Sequence, residues 1–258
     1  VLSGLGGDEL FGGYGSFKIL PRTSKFLKLW LILNYQFKKY IINIINIFIK
    51  DPNHVSKLTR LINVKDFIGL YFLLRSNGGS TESLTIFSKK FDKKIGKTPK
   101  TDVLSCLKNE HQFNDLWRET QRLEIKNYMQ WRLLRDSDAM SMAHSIELRV
   151  PLIDDFLVES VLSLPKGWHK TLGWPKKLLV KSMISIIPSF VLNKKKKGFQ
   201  LPMDYWMKAD LEPIVREIFS ISSIRSRGIF EENYMLNLYE QFKNNKLPYE
   251  YIWKFVVL

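Results

Sequence analysis

Hydrophobic positions along most of the chain follow a helical period. Phe37, Tyr40, Ile41, Ile44, Ile45 and Phe48 share one helical face, with Lys38 and Lys39 turned away from it. That is the pattern of an amphipathic helix whose apolar side meets a core or a partner. The surrounding stretch, Leu27 to Ile49, predicts two helices. Phe67, Leu70, Tyr71 and Leu74 are spaced i, i+3, i+4, i+7, and Asn77-Gly78-Gly79 supplies residues that tolerate a left-handed C-terminal turn. Further helices are predicted from about Asn114 to Leu134, around Leu157, Val161 and Leu164 up to Pro165, and from Pro175 through Leu179, Met183 and Ile186 to Pro188. Two more rest on the faces Leu211, Ile214, Val215, Ile218 and Met235, Leu238, Tyr239, Phe242. Two places lack the period. Val1-Leu2 reads as the end of a buried strand entering a Ser3-Gly4 turn, with its neighbours expected from upstream sequence. Residues 80–102 dissolve into Ser, Thr, Lys and Gly, the composition of a long mobile loop. The expectation is a mainly helical body on the tail of a strand.

Composition narrows the class. The chain has 258 residues, 45% apolar and 25% charged, the balance of a globular protein, which excludes whole-chain disorder and a rod. At roughly 150 residues per domain, there is room for one large domain or two small ones. The single cysteine, Cys106, excludes a disulfide framework, a thiolate zinc site and a CxxC redox pair, and is expected to be a packing residue. Lys28, Lys38 and Lys39 interrupt the apolar stretch Phe26 to Ile49, so it lacks the roughly 20 continuous apolar residues of a membrane span.

Charge adds one alternative. Forty Lys plus Arg against 25 Asp plus Glu leave a net charge of +15. The lysines are scattered from Lys18 to Lys254 beside an equal excess of Ile and Asn, the composition an AT-rich genome produces. A nucleic-acid binder concentrates its cations in a stripe interleaved with aromatics. A basic module that binds nucleic acid or an anionic surface therefore stands as the runner-up to an enzyme.

Three polar or glycine-rich segments break the helical pattern. The first, SGLGGDELFGGY at 3–14, runs from a strand end through glycines into an acidic helix start. Such glycines either serve tight-turn packing or let backbone N–H groups approach a phosphate. Asp8 is either the cap of a helix that begins near Glu9 or a magnesium ligand. The second segment, 135–154, alternates charged and small residues, and its Arg149-Val150-Pro151 imposes extended backbone. Its Glu147 and Arg149 form either a buried structural pair or a pair facing a cleft, suited to holding a substrate or moving a proton. The third, Lys194 to Pro202, is a lysine run followed by Gly198-Phe199, with Pro202 and Trp206 beyond it. It is expected to be anchored against the core with an ammonium aimed inward, a point charge suited to phosphate.

In this order the three segments resemble the synthetase domain of the glutamine-hydrolysing asparagine synthetases. The matching stretches are SGLGGDELFGGY at 3–14, DAMSMAHSIELRVPLID at 138–154 and KKGFQLPMDYW at 196–206. The resemblance implies the C-terminal, mainly α portion of an α/β adenine-nucleotide α-hydrolase-like (Rossmann-like) domain. Its parts would be a nucleotide-binding strand, loop and helix at 1–20, a variable helical region at 21–134, and a helical region carrying substrate and phosphate loops at 135–258.

The function implied is equally specific. Family members use ATP and magnesium to adenylate the side-chain carboxylate of aspartate or a related acid. Ammonia derived from glutamine then displaces AMP to give the amide. By this resemblance Ser3, Gly4 and Gly6 contact the nucleotide, Asp8 ligates magnesium, and Lys196 neutralises charge on the phosphates and the transition state. Glu147 is the acid/base carboxylate on the acyl-acceptor side, and Arg149 and Leu5 occupy supporting positions. Leu5 departs from the pattern, because the synthetases carry a glutamate there, and this leaves the acid open. The glutaminase domain and the S-G-G-x-D-S pyrophosphate loop of complete members are not among these residues. The chain accordingly reads as a fragment, split or decayed gene product that depends on a glutaminase domain for ammonia. It is expected to be cytoplasmic, with a homodimer as one option and with neither nucleic acid nor membrane as a partner.

Overall fold

A computed structural model describes residues 1–49, 52–75, 86–88, 91, 107–110, 112–169, 176–192 and 201–257. Among these the secondary structure is helical apart from two isolated β-bridges, in agreement with the mainly α expectation. The chain divides into two compact units. One comprises Val1–Trp30, Asp66–Tyr71 and Leu104–Lys197; the other comprises Leu31–Lys65, Phe72–Val103 and Gly198–Leu258.

The first unit begins with Val1-Leu2, which makes a parallel bridge to Arg149. Both residues are exposed rather than buried, at 73% and 75%. Helix α1 (Gly7–Phe11) follows, then α2 (Ser16–Ile32), whose Phe17, Leu20 and Leu27 are buried. The helix expected from Asn114 to Leu134 starts at Leu116 on an Asp115 cap and does not stop at Leu134. It passes into eleven residues of π-helix at Glu124–Leu134 and returns to α geometry over Arg135–Met142. The first part of the second polar segment is therefore helical. Leu10, Phe11 and Val161 form a small core with Ile125, Leu157, Val158, Leu178 and Leu179 packed around it. Helix Asp155–Ser163 is capped by the Asp154 carboxylate, which accepts from Leu157 N. Helix Lys177–Ser182 stops short of the expected Pro188, leaving Met183 and Ile186 exposed.

The second unit is built around a conventional apolar core. Met235, Leu238, Tyr239 and Phe242, the predicted face of one helix, are all buried on helix Glu232–Lys243. They pack with Met203, Met207, Val215, Phe219, Ile224, Ile252 and Phe255 from neighbouring helices. Phe219 stacks on Tyr239 at 5.2 Å and Phe230 meets Phe255 edge-on at 5.0 Å, each pair adding about 0.5–1.5 kcal/mol beyond burial. Ser220 caps one helix of this core and Gly228, at φ 64°, ends it. Part of the stretch expected to be a mobile loop belongs here. Ile86 is buried in the core, and Phe87 bridges Phe230, with Glu231 N donating to Ile86 O at 2.8 Å.

Helix α3 (Tyr35–Phe48), capped by the Asn34 side chain, has the predicted apolar face but does not bury it in a core. It buries Lys38 and Ile42, while Phe37, Tyr40, Ile44, Ile45 and Phe48 are exposed.

Candidate functional site

The glycine-rich loop owes most of its glycines to packing. Gly6 is the N-cap of α1 at φ 87°, and a Cβ there would strike the Ile153 side chain. Gly12 ends the helix at φ 75°, where a Cβ would lie 2.9 Å from the Trp117 ring. A Cβ on Gly13 would run into the Asp8 carboxylate. Gly4 is different: a Cβ there meets nothing within 4 Å, so packing leaves the Ser3-Gly4 backbone open to a close approach. Asp8 is not the helix cap. The helix begins at Gly7, and Asp8 and Glu9 both stand in its first turn.

The two acids of that turn face different environments. Glu9 is 1% exposed and accepts the Tyr14 hydroxyl proton. Burial first, and the Glu9 carboxylate second, push the Tyr14 hydroxyl well above the ordinary tyrosine range. The Tyr14 ring meets Tyr128 of the π-helix edge-on at 5.6 Å. At the head of the same π-helix Glu124, fully buried, accepts from Ser16 Oγ and, at 3.3 Å, from the Tyr71 hydroxyl. Gln121 Nε2 donates to Leu10 O at 2.7 Å. Trp117, against which Gly12 turns, stacks on His169 at 4.7 Å. Burial and the Arg118 cation hold His169 below the usual histidine range. The carboxylates under the loop are thus hydrogen-bonded to hydroxyls, whereas Trp117 Nε1 and His169 Nε2 are buried without a hydrogen-bond partner among the described residues.

Asp8 points the other way. It is half-buried, and its Oδ1 lies 3.1 Å from Lys176 Nζ. Lys176 takes a left-handed conformation at φ 56° immediately before helix Lys177–Ser182. This places an ammonium beside the acidic turn from a segment far along the chain. The pair Lys176-Lys177 stands out in the sequence as a local basic run, but nothing in its spacing assigns it to the loop.

The second segment reaches the first through the backbone. Val1 N donates to Glu147 O at 2.7 Å, Arg149 N to Val1 O at 2.8 Å, and Ser3 N to Arg149 O at 2.9 Å. Val150, at φ −125° and ψ 81°, avoids the helical region before Pro151 without being fully extended, and Pro151–Ile153 forms a turn whose Leu152 and Ile153 side chains lie against Gly7 and Gly6. Glu147 and Arg149 form an ion pair at 2.7 Å with side chains 69% and 71% exposed. The buried-pair alternative is thereby excluded. Leu5 is half-buried, and its N–H donates to Ser3 Oγ at 3.4 Å.

Ser3, Gly4, Leu5, Gly6, Asp8, Glu147 and Arg149 therefore gather at one end of the first unit. Lys196 and the rest of the run 194–197 lie outside the described residues, as do Gly198 and Cys106. The sequence reading missed Lys176 and the buried set Glu9, Tyr14, Ser16, Tyr71 and Glu124. For magnesium, the described residues hold no group of three or more His, Cys, Asp or Glu side chains able to ligate a metal. Asp8 alone still suits this ion, which keeps most of its waters and takes one or two carboxylates beside phosphate oxygens.

The asparagine synthase family profile matches residues 1–258. The chain is 28% identical over 248 residues to asparagine synthetase [glutamine-hydrolyzing] 1 of Bacillus subtilis, covering 93% of this chain and 36% of that protein. It is 30% identical over 109 residues to a putative asparagine synthetase [glutamine-hydrolyzing] of Mycobacterium bovis, covering 42% of this chain and 17% of that protein. It is also 24% identical over 118 residues to amidase chry2 of Gibberella zeae, covering 43% of this chain and 18% of that protein. The chain thus spans about a third or less of these relatives. No solved structure matches it.

Proposed function

Because this chain belongs to the asparagine synthase family, we propose that it forms the C-terminal part of the synthetase portion of an ATP-dependent amide-forming ligase. The observation that carries this reading is the meeting of three distant segments at one acidic turn. Residues 1–3 pair with 147–149, Leu152 and Ile153 sit on Gly6 and Gly7, and Lys176 reaches Asp8. A loop kept only for its turn geometry needs the buried contacts but not the exposed charges gathered above them.

In this function a carboxylate oxygen of the acid attacks the α-phosphorus of ATP. The bond to the bridging oxygen breaks and pyrophosphate leaves. Ammonia nitrogen then attacks the acyl carbon, the acyl–phosphate bond breaks with AMP as the leaving group, and a proton is given up. The open Ser3-Gly4 backbone takes the nucleotide side, with Gly6 holding the turn beneath it. Lys176 adds positive charge beside the polyphosphate, and Lys196 supplies the second ammonium that the family resemblance assigns. Magnesium bound at Asp8 would screen the phosphate oxygens. Glu147, oriented by Arg149, accepts the proton from the incoming ammonia. The exposed Val1-Leu2 and its parallel bridge support a place at the end of a parallel, Rossmann-like sheet. Aspartate is the first candidate for the acid, with Leu5 arguing for a wider search. Ammonia would come from glutamine through a glutaminase domain.

ATP–pyrophosphate exchange in the complete gene product, run with aspartate and with other carboxylic acids, tests this reading. Acid-dependent exchange is expected, and it should vanish in Asp8→Ala and in Lys196→Ala. Exchange at the normal rate in both variants would overturn the site; no acid-dependent exchange with any acid would overturn the ligase.

A further inference from the structure

Gly13 is not a glycine for the sake of its backbone. Among the described glycines, Gly6, Gly12 and Gly228 take left-handed conformations, at φ 87°, 75° and 64°. Gly13 does not, so its φ lies in the range that any L-residue uses. What stands against a side chain there is a single neighbour. Gly12 turns the chain back over the first turn of α1, where the N–H groups of Gly12 and Gly13 both donate to Asp8 O, the latter at 2.8 Å. A Cβ on Gly13 would run into Asp8 Oδ1 and lie 2.6 Å from Asp8 Cγ and 3.0 Å from Asp8 Cα, and these are its three nearest atoms. The Asp8 carboxylate therefore occupies the place where any other residue at 13 would put its side chain.

The same oxygen meets Lys176 Nζ at 3.1 Å. Steric contact with Gly13 and charge from Lys176 thus converge on Asp8 Oδ1 and select one orientation of a short side chain. An ion pair with lysine has little use for such a fixed orientation, because the ammonium sits on a flexible stem and follows its partner. A magnesium ion is more demanding: it takes its oxygens at about 2.0–2.1 Å in nearly ideal octahedral geometry, and a functional group has to be held within about 0.5 Å of its working position. We propose that Gly13 is a positioning residue. Its lack of a side chain seats the Asp8 carboxylate in the orientation that takes magnesium, and any side chain at 13 displaces it. The metal in this inference rests on the ligase reading; the seat does not.

Two measurements test this separately from the ligase reading. The first is a double-mutant cycle on the 258-residue chain, unfolded in urea and followed by circular dichroism. Gly13→Ala should keep the parent's helical spectrum and lower the unfolding midpoint. In an Asp8→Ala background, where the carboxylate is gone, the same substitution should lower the midpoint much less. Equal shifts in the two backgrounds would overturn the seat. The second uses the complete gene product with Mn²⁺ in place of Mg²⁺ and ATP present, where water-proton relaxation reports protein-bound cation without turnover. Half-saturation by Mn²⁺·ATP should require at least about tenfold more in Gly13→Ala, as in Asp8→Ala, the loss expected when the support of a metal ligand is disturbed. An unchanged half-saturation in Gly13→Ala, or a parent with no protein-bound Mn²⁺, would overturn the seat's role in holding the cation. Both results as expected, in a parent without acid-dependent exchange, would remove the ligase and leave Gly13 and Asp8 as a cation site.

Discussion

The two sides of the acidic turn are built by opposite rules. Beneath it, Glu9, Tyr14, Ser16, Tyr71 and Glu124 are joined by hydroxyl-to-carboxylate hydrogen bonds, and both glutamates are almost completely buried. Above it, Asp8 pairs with Lys176 and Glu147 with Arg149, in contacts that water reaches. A buried carboxylate is tolerable only when its oxygens are satisfied, so Glu9 is constrained by Tyr14, and Glu124 by Ser16 and Tyr71. The exposed Glu147–Arg149 pair contributes about 0–1 kcal/mol, and the Asp8–Lys176 pair is only part-buried. The difference separates two kinds of acidic residue that look alike in the string Asp8-Glu9: one shapes the loop, the other is available to a ligand.

The strongest way to break this contrast is Glu124→Ala. The change removes the acceptor of the Ser16 hydroxyl and one of two acceptors of the Tyr71 hydroxyl, which keeps Leu123 O at 3.2 Å, and it opens a space at the head of the π-helix. Each buried hydroxyl left without an acceptor costs about 1–3 kcal/mol. A total loss of about 3 kcal/mol is expected from urea unfolding followed by helical circular dichroism. A loss under about 1 kcal/mol would mean that the lower network does not hold the loop. Gly12→Ala should have a smaller effect on the same side. It forces an L-residue into φ 75° and brings its Cβ 2.9 Å from Trp117, a combination expected to cost about 2 kcal/mol. Gly4→Ala, with open space around it, should unfold like the parent in the same measurement.

This division explains what the sequence made legible and what it hid. Periodicity found helix Glu232–Lys243 and its buried face because that helix packs on a core in the ordinary way. The same reasoning found α3 and its apolar face but left open whether a core covers it. Spacing identifies an apolar stripe without saying whether anything covers it, and here Lys38 occupies the packed side. No spacing rule announces the π-helix at Glu124–Leu134, whose Glu124 and Tyr128 meet Ser16, Tyr71 and Tyr14 from distant parts of the chain. At the site, motif order grouped 3–14 with 138–154 as parts of one resemblance, and backbone hydrogen bonds join residues 1–3 to 147–149. The backbone bridge that joins them links residues nearly 150 positions apart and leaves no local trace. Lys176 escaped for a related reason: a left-handed residue before a short helix aims its ammonium at Asp8, and the adjacent Lys177 looks identical in the sequence.

Glu147→Ala should also leave stability nearly unchanged, and that smallness is what makes it informative. Glu147 and Arg149 touch each other at 2.7 Å, but both side chains are about 70% exposed, and the backbone contacts of 147–149 with 1–3 do not involve either side chain. Unfolding should therefore change by no more than about 0.5 kcal/mol. If these charges serve a ligand, amide formation by the complete gene product should fall by about a hundredfold or more when the acid/base group is lost, while pyrophosphate exchange, which precedes the attack of ammonia, should be affected much less. A variant that keeps its stability and loses only the second half of the reaction would place Glu147 at the ammonia step. One that loses both halves equally would place it with the nucleotide instead. One that keeps full activity would reduce the exposed pair to surface charge and leave Asp8 and Lys176 as the functional part of the upper side.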